Sequence, residues 1–176
     1  PYFIDKIAEN LEKSVLTEAE KSFNFQVLYG RDSDVNDIIS SAKRFPMMAE
    51  YQLIIVREAQ FLKNIDAILS YLDNPVQSTV LVFLYKNKKV SRATKLGKAL
   101  KKFGAFTSNK LYENEVAGWL QAHVKSLGLT IRPEVVQILI QTIGSDLQKI
   151  TGEIDKAKAN LGKRTAIEVD DVARGG

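Results

Sequence analysis

Leu53–Val56, with the sequence LIIV, is the stretch that decides the fold of this 176-residue chain. A continuous apolar run with three β-branched residues is typical of a strand that is covered on both faces in a parallel sheet. Thr79–Tyr85 (TVLVFLY) is a second run of this kind, and Phe23–Tyr29 (FNFQVLY) combines aromatic and β-branched residues and ends at Gly30. The sequence therefore predicts a parallel sheet that contains these three strands.

Helical patterns separate the predicted strands. Residues 4–14 carry one apolar stripe before the first strand, and Asp34 is in position to cap a helix that must end before Pro46. Further helices are predicted over residues 64–72 and, with a strongly basic composition, over residues 92–103. Because helices alternate with strands, the pattern predicts an α/β domain with right-handed crossovers.

The predicted α/β domain spans residues 1–112 and closes with a short fourth strand at Ala105–Thr107. An open parallel sheet also needs a strand at its centre, and a first strand with its phosphate-binding loop would precede Pro1. We therefore expect this domain to be truncated at its N-terminus. Residues 107–112 would form the hinge to a second domain.

Residues 113–176 predict a small all-α domain of three helices. The first helix has an apolar stripe from Val116 to Leu127 that includes Trp119 and His123. The second helix opens at a proline, the third opens at a capping box, and both end at a glycine. The second runs from Pro133 to Gly144, and the third runs from Ser145, paired with Gln148, to Gly162.

The basic stretch (residues 74–112) carries nine of the chain's 25 basic residues and none of its 21 acidic ones. This asymmetry predicts a contact with phosphate groups or with an acidic partner, and a solvated helix face is an equally weighted alternative. Few aromatic residues lie between the lysines, so base stacking is not expected. The candidate contact residues are Lys86, Lys88, Lys89, Arg92, Lys95, Lys98 and Lys102.

The composition excludes several classes of site. The chain has no cysteine and one histidine, so disulfides, thiolate catalysis and multi-histidine metal sites are excluded. The apolar runs are far shorter than the roughly 20 residues that span a bilayer. We therefore expect neither a metal site nor a membrane segment, and the absence of cysteine fits a reducing cytoplasm.

An α/β domain followed by a helical bundle is the layout of many nucleotide-driven proteins, but the residues of a nucleotide site are missing. The spacing G-x-x-x-x-G-K-[ST] does not occur, and Gly97 and Lys98 lie inside the predicted basic helix, where a surface glycine is the simpler interpretation. Arg57 and Glu58 follow the strand where an acidic pair would hold Mg²⁺, and a guanidinium repels that ion. We therefore expect Glu58 to be a loop or cap carboxylate, with no catalytic residue and no cofactor.

Two other positions have competing interpretations. Ser91 and Arg92 could act on a phosphate of a neighbouring protein, but we favour Ser91 as the cap of the basic helix. His123 lies on the apolar stripe of its helix, which favours a core or domain-contact histidine over a functional one.

Met47 and Met48 are the only methionines in the chain. They are adjacent, so one short turn cannot bury both against its own sheet, and Pro46 fixes the direction in which they enter it. The flexible, polarizable side chain of methionine suits the apolar pocket of a partner. Packing of both residues under the sheet edge is the alternative, and the residues alone leave the two equally weighted. Phe45 is expected to anchor the turn.

The order of these elements resembles the delta subunit family of the bacterial DNA polymerase III clamp loader, over essentially the whole chain. No single string is diagnostic, but the order and spacing of the matching segments are specific. These segments are Pro1–Asp5 (PYFID), Phe23–Val27 (FNFQV), Arg44–Glu50 (RFPMMAE), Gln52–Ala59 (QLIIVREA), Asn74–Pro75, Ser78–Phe83 (STVLVF), Lys86–Val90 (KNKKV), Ala99–Lys102 (ALKK), Leu127–Leu129 (LGL), Gly144–Leu147 (GSDL) and Glu153–Lys156 (EIDK).

The resemblance implies an AAA+ (P-loop-like) fold without ATPase activity, with the helical domain as its lid. It implies a non-catalytic subunit of DNA polymerase III that binds the sliding clamp (beta subunit) and opens it for loading onto primed DNA. It assigns the clamp contact to Met47 and Met48, on a short helix, with Phe45 and Pro46 beside them.

The resemblance also implies the gamma/tau and delta prime subunits as partners and a cytoplasmic, nucleoid-associated location. The C-terminal collar domain of that family is expected to be absent from this chain, which puts assembly with those subunits in doubt. Two alternatives remain open at this point: a P-loop ATPase fragment, and a DNA-binding module that uses residues 86–102.

Overall fold

The computed structural model describes residues 2–173, which form two compact units. The first unit ends at Ser108 and the second begins at Asn109. Pro1, which opens the first segment of the family resemblance, and residues 174–176, at the end of the predicted second domain, lie outside the described residues.

The first unit contains a three-stranded sheet in which all strands are parallel. The strands are β1 (Phe25–Tyr29), β2 (Gln52–Arg57) and β3 (Thr79–Phe83), in the order β1-β2-β3. Ile55 at the middle of β2 pairs with Val27 on one side and with Val82 on the other. The predicted parallel α/β architecture is therefore confirmed.

Strand β2 lies between β1 and β3 at the centre of the sheet, and its side chains supply the core on both faces. Ile54 and Val56 pack on one face with Ile38 and Ile68, and each of these side chains is at most 1% exposed. Leu53 and Ile55 pack on the opposite face in a second cluster that includes Ala8 and Leu84. The LIIV run thus forms the doubly covered strand that its composition predicts.

Helices and 3-10 turns cover this sheet. The helices are α1 (Tyr2–Val15), α2 (Glu18–Asn24), α3 (Val35–Ala42), α4 (Leu69–Leu72) and α5 (Lys95–Phe103), and the 3-10 turns are Ala59–Phe61 and Ile65–Ile68. Asp34 caps α3 as predicted, since its Oδ1 accepts the Asn36 amide at 2.7 Å. The predicted single helix over residues 64–72 is instead a 3-10 turn followed by the short helix α4.

The prediction that the first strand begins at Phe23 is wrong. Phe23 and Asn24 are the last residues of α2, which opens with a capping box: Thr17 Oγ1 accepts the Glu20 amide, and Glu20 Oε2 accepts the Thr17 amide at 2.8 Å. Both bonds satisfy amides that would otherwise have no partner at the start of a helix. The helix that they start continues to Asn24, so only the last five residues of FNFQVLY extend as β1.

The C-terminal part of the first unit differs from the prediction at three points. Thr94, not Ser91, caps α5, because its side chain accepts the Gly97 amide at 3.0 Å. Gly97 is not a surface glycine, since an added Cβ would collide with the Ser91 carbonyl oxygen. The predicted strand at Ala105–Thr107 does not form, because the chain leaves α5 through a left-handed Gly104 (φ 102°) and finds no neighbouring strand to pair with.

The second unit is mainly helical, but the all-α prediction is wrong. Its elements are α6 (Glu113–Ser126), β4 (Thr130–Ile131), α7 (Pro133–Ile143), α8 (Leu147–Asn160), β5 (Ala166–Ile167) and α9 (Val169–Ala173). Strands β4 and β5 pair in parallel and bury Ile167 completely. Asp146, not Ser145, caps α8 by accepting the Lys149 amide at 3.2 Å. None of the helices within residues 2–173 is long and apolar enough to cross a membrane.

Candidate functional site

The apolar loop (residues 43–51) connects α3 to the central strand β2 and contains both methionines. Residues 44 and 47–50 form a series of bends. The expected short helix at the methionines is therefore not formed. Pro46 is half-buried, whereas Phe45 and Met47 on either side of it are exposed.

The loop exposes three large apolar side chains within four residues. Phe45 is 77% exposed, Met47 is 60% exposed and Met48 is fully exposed. The alternative in which both methionines pack under the sheet edge is wrong, and Phe45 does not anchor the turn. Among the described residues of the first unit, no other stretch of four residues carries three exposed large apolar side chains.

Met48 adopts a left-handed backbone conformation, with a φ of 52°. Left-handed backbone is uncommon for residues other than glycine, asparagine and aspartate, and it persists only where the surrounding structure imposes it. A fully exposed apolar side chain on such a backbone contributes nothing to the stability of the isolated chain. Both features are typical of a binding site.

Two buried carboxamides hold the backbone of the apolar loop. Asn24, which is 4% exposed, accepts the Met47 amide at 2.6 Å through Oδ1 and donates to the Met47 carbonyl at 2.9 Å through Nδ2. Gln52, which is 9% exposed, donates through Nε2 to the Arg44 carbonyl at 2.5 Å and to Thr79 Oγ1 at 2.8 Å. The start of the loop is therefore fixed to β2, and its middle is fixed to α2.

Sequence reasoning missed both of these residues. The pattern of aromatic and β-branched residues places Asn24 in a strand, and Gln52 is only a flank of the LIIV run. A signal for Asn24 was present, because Thr17 and Glu20 have the spacing of a capping box and would start a helix that ends near it. No pattern in the sequence points to Gln52.

Tyr51 lies where the loop enters β2. Its hydroxyl donates a hydrogen bond to the Glu50 carboxylate, which raises the pKa of Tyr51 above its usual value. Tyr51, which is 37% exposed, thus adds a polar group at the end of the apolar loop.

The candidate contact residues of the basic stretch are not equivalent. Lys86 is engaged within the first unit, since its Nζ lies 2.8 Å from Oδ1 of Asp5 and donates to Oδ2 at 2.9 Å. Lys88, Lys89, Arg92, Lys95, Lys98 and Lys102 are all exposed. Among residues 2–173, no carboxylate forms an ion pair with Arg92 or with the lysines of α5.

Helix α5 separates an apolar face from a cationic one. Leu96 is buried and Leu100 packs against the same core, while Lys95, Lys98 and Lys102 lie on the solvent side. The close approach of Gly97 to the Ser91 backbone brings the helix near the preceding loop. The fold therefore presents a row of lysines on one surface.

Two basic side chains and one carboxylate lie close together near the carboxyl end of β2. Arg57 and Lys86 both approach Asp5, at 3.6 Å and 2.8 Å, beside a cavity of about 260 Å³. Glu58 has a left-handed backbone and lies 3.9 Å from Arg31, as expected for a loop carboxylate. Two cations face the only nearby carboxylate of α1, so an added Mg²⁺ would meet positive charge. No group of three potential metal ligands exists within residues 2–173.

His123 lies in the second unit and is half-buried on α6, not in the core. Its ring stacks on Trp119 with a centroid separation of 5.0 Å and an interplanar angle of 9°. Val116, Leu120 and Val124 form the buried face of the same helix. The histidine therefore belongs to an aromatic pair beside the apolar stripe.

Comparisons with known proteins agree on one family. The family model of DNA polymerase III, delta subunit, matches residues 1–110. DNA polymerase III subunit delta of Bacillus subtilis is 29% identical over 182 aligned positions, which cover 97% of this chain and 52% of that protein. The chain thus spans about half the length of this curated relative.

Solved structures also resemble this one. The Bacillus subtilis DNA clamp loader delta protein superposes with a TM-score of 0.74 at 28% identity, covering 99% of this chain and 55% of the other. A RuvB variant of Thermotoga maritima superposes with a TM-score of 0.51 at 12% identity, covering 86% of this chain and 52% of the other, which indicates a shared fold alone. Since the family model covers more than half of the residues, this chain belongs to the DNA polymerase III delta subunit family.

Proposed function

We propose that this chain is part of a clamp-loader subunit that binds the sliding clamp and opens it for loading onto primed DNA during replication. The single observation that carries the proposal is the exposure of Met48 and Met47 on a loop whose backbone is held by buried hydrogen bonds. The relatives are a DNA polymerase III delta subunit and a DNA clamp loader delta protein, which makes the clamp the natural occupant of this surface.

The contact is apolar, with the two methionines inserted into a pocket of the clamp. Burial of a methionine side chain contributes about 1.5–3 kcal/mol before the cost of ordering the partners. Phe45 lies on the same loop and enlarges the apolar area, while half-buried Pro46 limits the freedom that the loop loses on binding. Because the loop is already ordered, little of the binding energy is spent on folding it.

The proposed role is non-catalytic within the DNA polymerase III holoenzyme. Arg57 stands where an acidic residue would hold Mg²⁺, and Asp5 is already shared by Arg57 and Lys86. The chain would therefore act by binding, and the ATP hydrolysis that drives loading would belong to other subunits. The gamma/tau and delta prime subunits are the proposed neighbours, in the cytoplasm at the nucleoid.

A second contact, with DNA, is favoured by one specific observation. Lys95, Lys98 and Lys102 lie on one face of α5 and have no carboxylate partner among the described residues. Such a row of cations suits the regularly spaced charges of a phosphate backbone. We propose it as an accessory surface of the same subunit, not as an independent DNA-binding module.

The test replaces both methionines and measures clamp binding by calorimetry. Met47→Ala with Met48→Ala should weaken binding to a bacterial sliding clamp by about a hundredfold or more, because two apolar side chains no longer fill the pocket of the clamp. The melting temperature should stay unchanged, since both side chains are exposed. Phe103→Ala, which removes an exposed apolar side chain from α5, is the matched control and should bind like the unaltered chain. Unchanged affinity of the double variant would reject this loop as the contact.

A further inference from the structure

Asn24 is the one polar side chain of α2 that is buried, and most of its hydrogen bonds reach across to the apolar loop. It is 4% exposed and lies 23 residues from Met47 in the sequence. A buried carboxamide without hydrogen-bond partners would destabilise the fold, so the partners of Asn24 explain why an asparagine occupies this position. We propose that Asn24 is the positioning residue of the apolar loop, which sets the exposed conformation of Met48. The inference rests on the clamp-binding function proposed above.

The geometry requires a carboxamide. Met47 offers both an N–H and a carbonyl to the same side chain, and Asn24 meets them with Oδ1 at 2.6 Å and Nδ2 at 2.9 Å. The Oδ1 atom must face the N–H, because a backbone amide can only donate. The second N–H of Nδ2 donates to the Glu20 carbonyl at 2.9 Å, which ties the side chain to the preceding turn of α2. A carboxylate or an aliphatic residue at position 24 would lose at least two of these three bonds.

The position of Met47 in the chain explains why these bonds control Met48. Met47 and Met48 are consecutive, so hydrogen bonds to the N–H and the carbonyl of Met47 fix the orientation of the peptide group that precedes Met48. Met48 then has a φ of 52°, an unfavourable conformation for an L-residue with a long side chain. Without the bonds to Asn24, the loop would relax to ordinary backbone angles and the Met48 side chain would point in many directions.

Gln52 does not duplicate this role. Its Nε2 reaches the carbonyl of Arg44 at the start of the loop, three residues before Met47. The entry of the loop therefore stays in place when the Asn24 bonds are removed. This separation makes the effect of Asn24 on the methionine segment measurable by itself.

The experiment compares Asn24→Ala and Asn24→Asp in the same chain. Alanine removes every bond, whereas aspartate still accepts the Met47 amide but cannot donate to the carbonyls of Met47 and Glu20. Asn10→Ala, which changes an exposed asparagine of α1, is the matched control. Each variant is studied at a temperature at which it is fully folded by near-ultraviolet circular dichroism. If alanine at position 24 prevents folding, the aspartate variant alone carries the comparison.

Two readouts are needed, and the first requires no partner. Hydrogen exchange of the Met47 amide should accelerate by about tenfold or more in Asn24→Ala, because its acceptor is gone, and by less in Asn24→Asp. Exchange in the interior of β2 should not change. An unaltered Met47 exchange rate in Asn24→Ala, or faster exchange in Asn10→Ala as well, would overturn the proposal.

The second readout is affinity for a bacterial sliding clamp. Asn24→Ala should weaken binding by about tenfold, less than removal of both methionines, because the side chains remain but must be ordered on binding. Faster exchange with unchanged clamp affinity would overturn the positioning role. If the double methionine variant binds normally, the clamp contact is refuted, and the control of the loop by Asn24 is then judged on Met47 exchange alone.

Discussion

The Nε2 of Gln52 lies 2.5 Å from the carbonyl oxygen of Arg44, and this hydrogen bond joins the central strand to the loop that carries the exposed methionines. Gln52 is the first residue of β2 and precedes the LIIV run. The sheet thus supports the apolar loop through a polar side chain that is buried beside its apolar core. Strand β2 therefore both contributes side chains to the core and holds the start of the apolar loop in place.

The backbone of Met48 predicts an unusual order of stabilities. The free energy of unfolding of Met48→Gly should be about 1 kcal/mol higher than that of Met48→Ala, because glycine accepts a positive φ that costs other residues about 1–2 kcal/mol. Elsewhere glycine is the less stable choice, so the order is diagnostic. Urea denaturation of the two variants provides the measurement. A more stable alanine variant would show that the left-handed conformation is not maintained in solution. Both variants should lose clamp affinity to a similar extent.

Two helical glycines should respond to alanine in opposite directions. Gly97→Ala should destabilise the chain by about 1–3 kcal/mol, because its Cβ would collide with the Ser91 carbonyl oxygen. Gly152→Ala in α8 should stabilise by about 0.5–1 kcal/mol, since no atom lies within 4 Å of the added Cβ. Thermal denaturation of the two variants makes the comparison. Equal effects would contradict the close packing of α5 on the loop before it.

The lysines of α5 should contribute to DNA association and not to clamp binding. The triple change of Lys95, Lys98 and Lys102 to alanine should lower DNA affinity and reduce the slope of log K against log salt by about 0.7–0.9 for each phosphate that is no longer neutralised. The control changes Lys13, Lys63 and Lys125, which are also exposed and lie outside the apolar loop, and removes the same charge. Fluorescence anisotropy with a primed oligonucleotide gives both slopes. The assignment would be contradicted if the two triple variants had equal slopes. It would also be contradicted if the α5 variant lost as much clamp affinity as DNA affinity.

Acid should weaken α2 through its capping box. The hydrogen bond from the Thr17 amide is the main cause that lowers the pKa of Glu20 below its usual 4.5. A carboxyl with a lowered pKa in the folded state contributes stability that is fully present above the unfolded value of 4.5 and is lost as the pH falls through the folded value. Melting temperatures between pH 7 and pH 3 should therefore fall more for the unaltered chain than for Glu20→Gln. Parallel pH profiles for the two proteins would contradict the cap.

Much of the fold was predictable because the relevant interactions are local or depend on composition. The β2 run is too apolar for any position but the core of a sheet, and Asp34 caps α3 through an amide two residues away. The expectation that Thr79–Tyr85 is covered on both faces is wrong, because β3 ends at Phe83, lies at an edge of the sheet and is only half-buried. The candidate site was half predictable. The adjacency of Met47 and Met48 after a proline leaves an outward-facing pair and packing under the sheet edge equally weighted, and only the family resemblance favours the first. Phe45, which is expected to anchor the turn, is exposed instead.

The parts that could not be predicted depend on groups that are distant in the sequence. Lys86 has the same sequence context as the exposed lysines, yet it pairs with Asp5, 81 residues away. Asn24 lies in a segment with the composition of a strand, and its function in the fold is visible only beside Met47. Strands β4 and β5 are two residues each, too short to have a pattern of their own.

By itself, the sequence determined which runs of residues must leave water, and hence the strands, the helical faces and the parallel sheet. Burial of apolar area depends on residue type and spacing, which can be read along the chain. The tertiary structure alone decided the backbone of Met48, the carboxamides that hold it and the lysine that turns inward to a carboxylate. Hydrogen bonds and ion pairs form over about 3 Å between specific atoms, so they exist only once the fold has brought distant residues together.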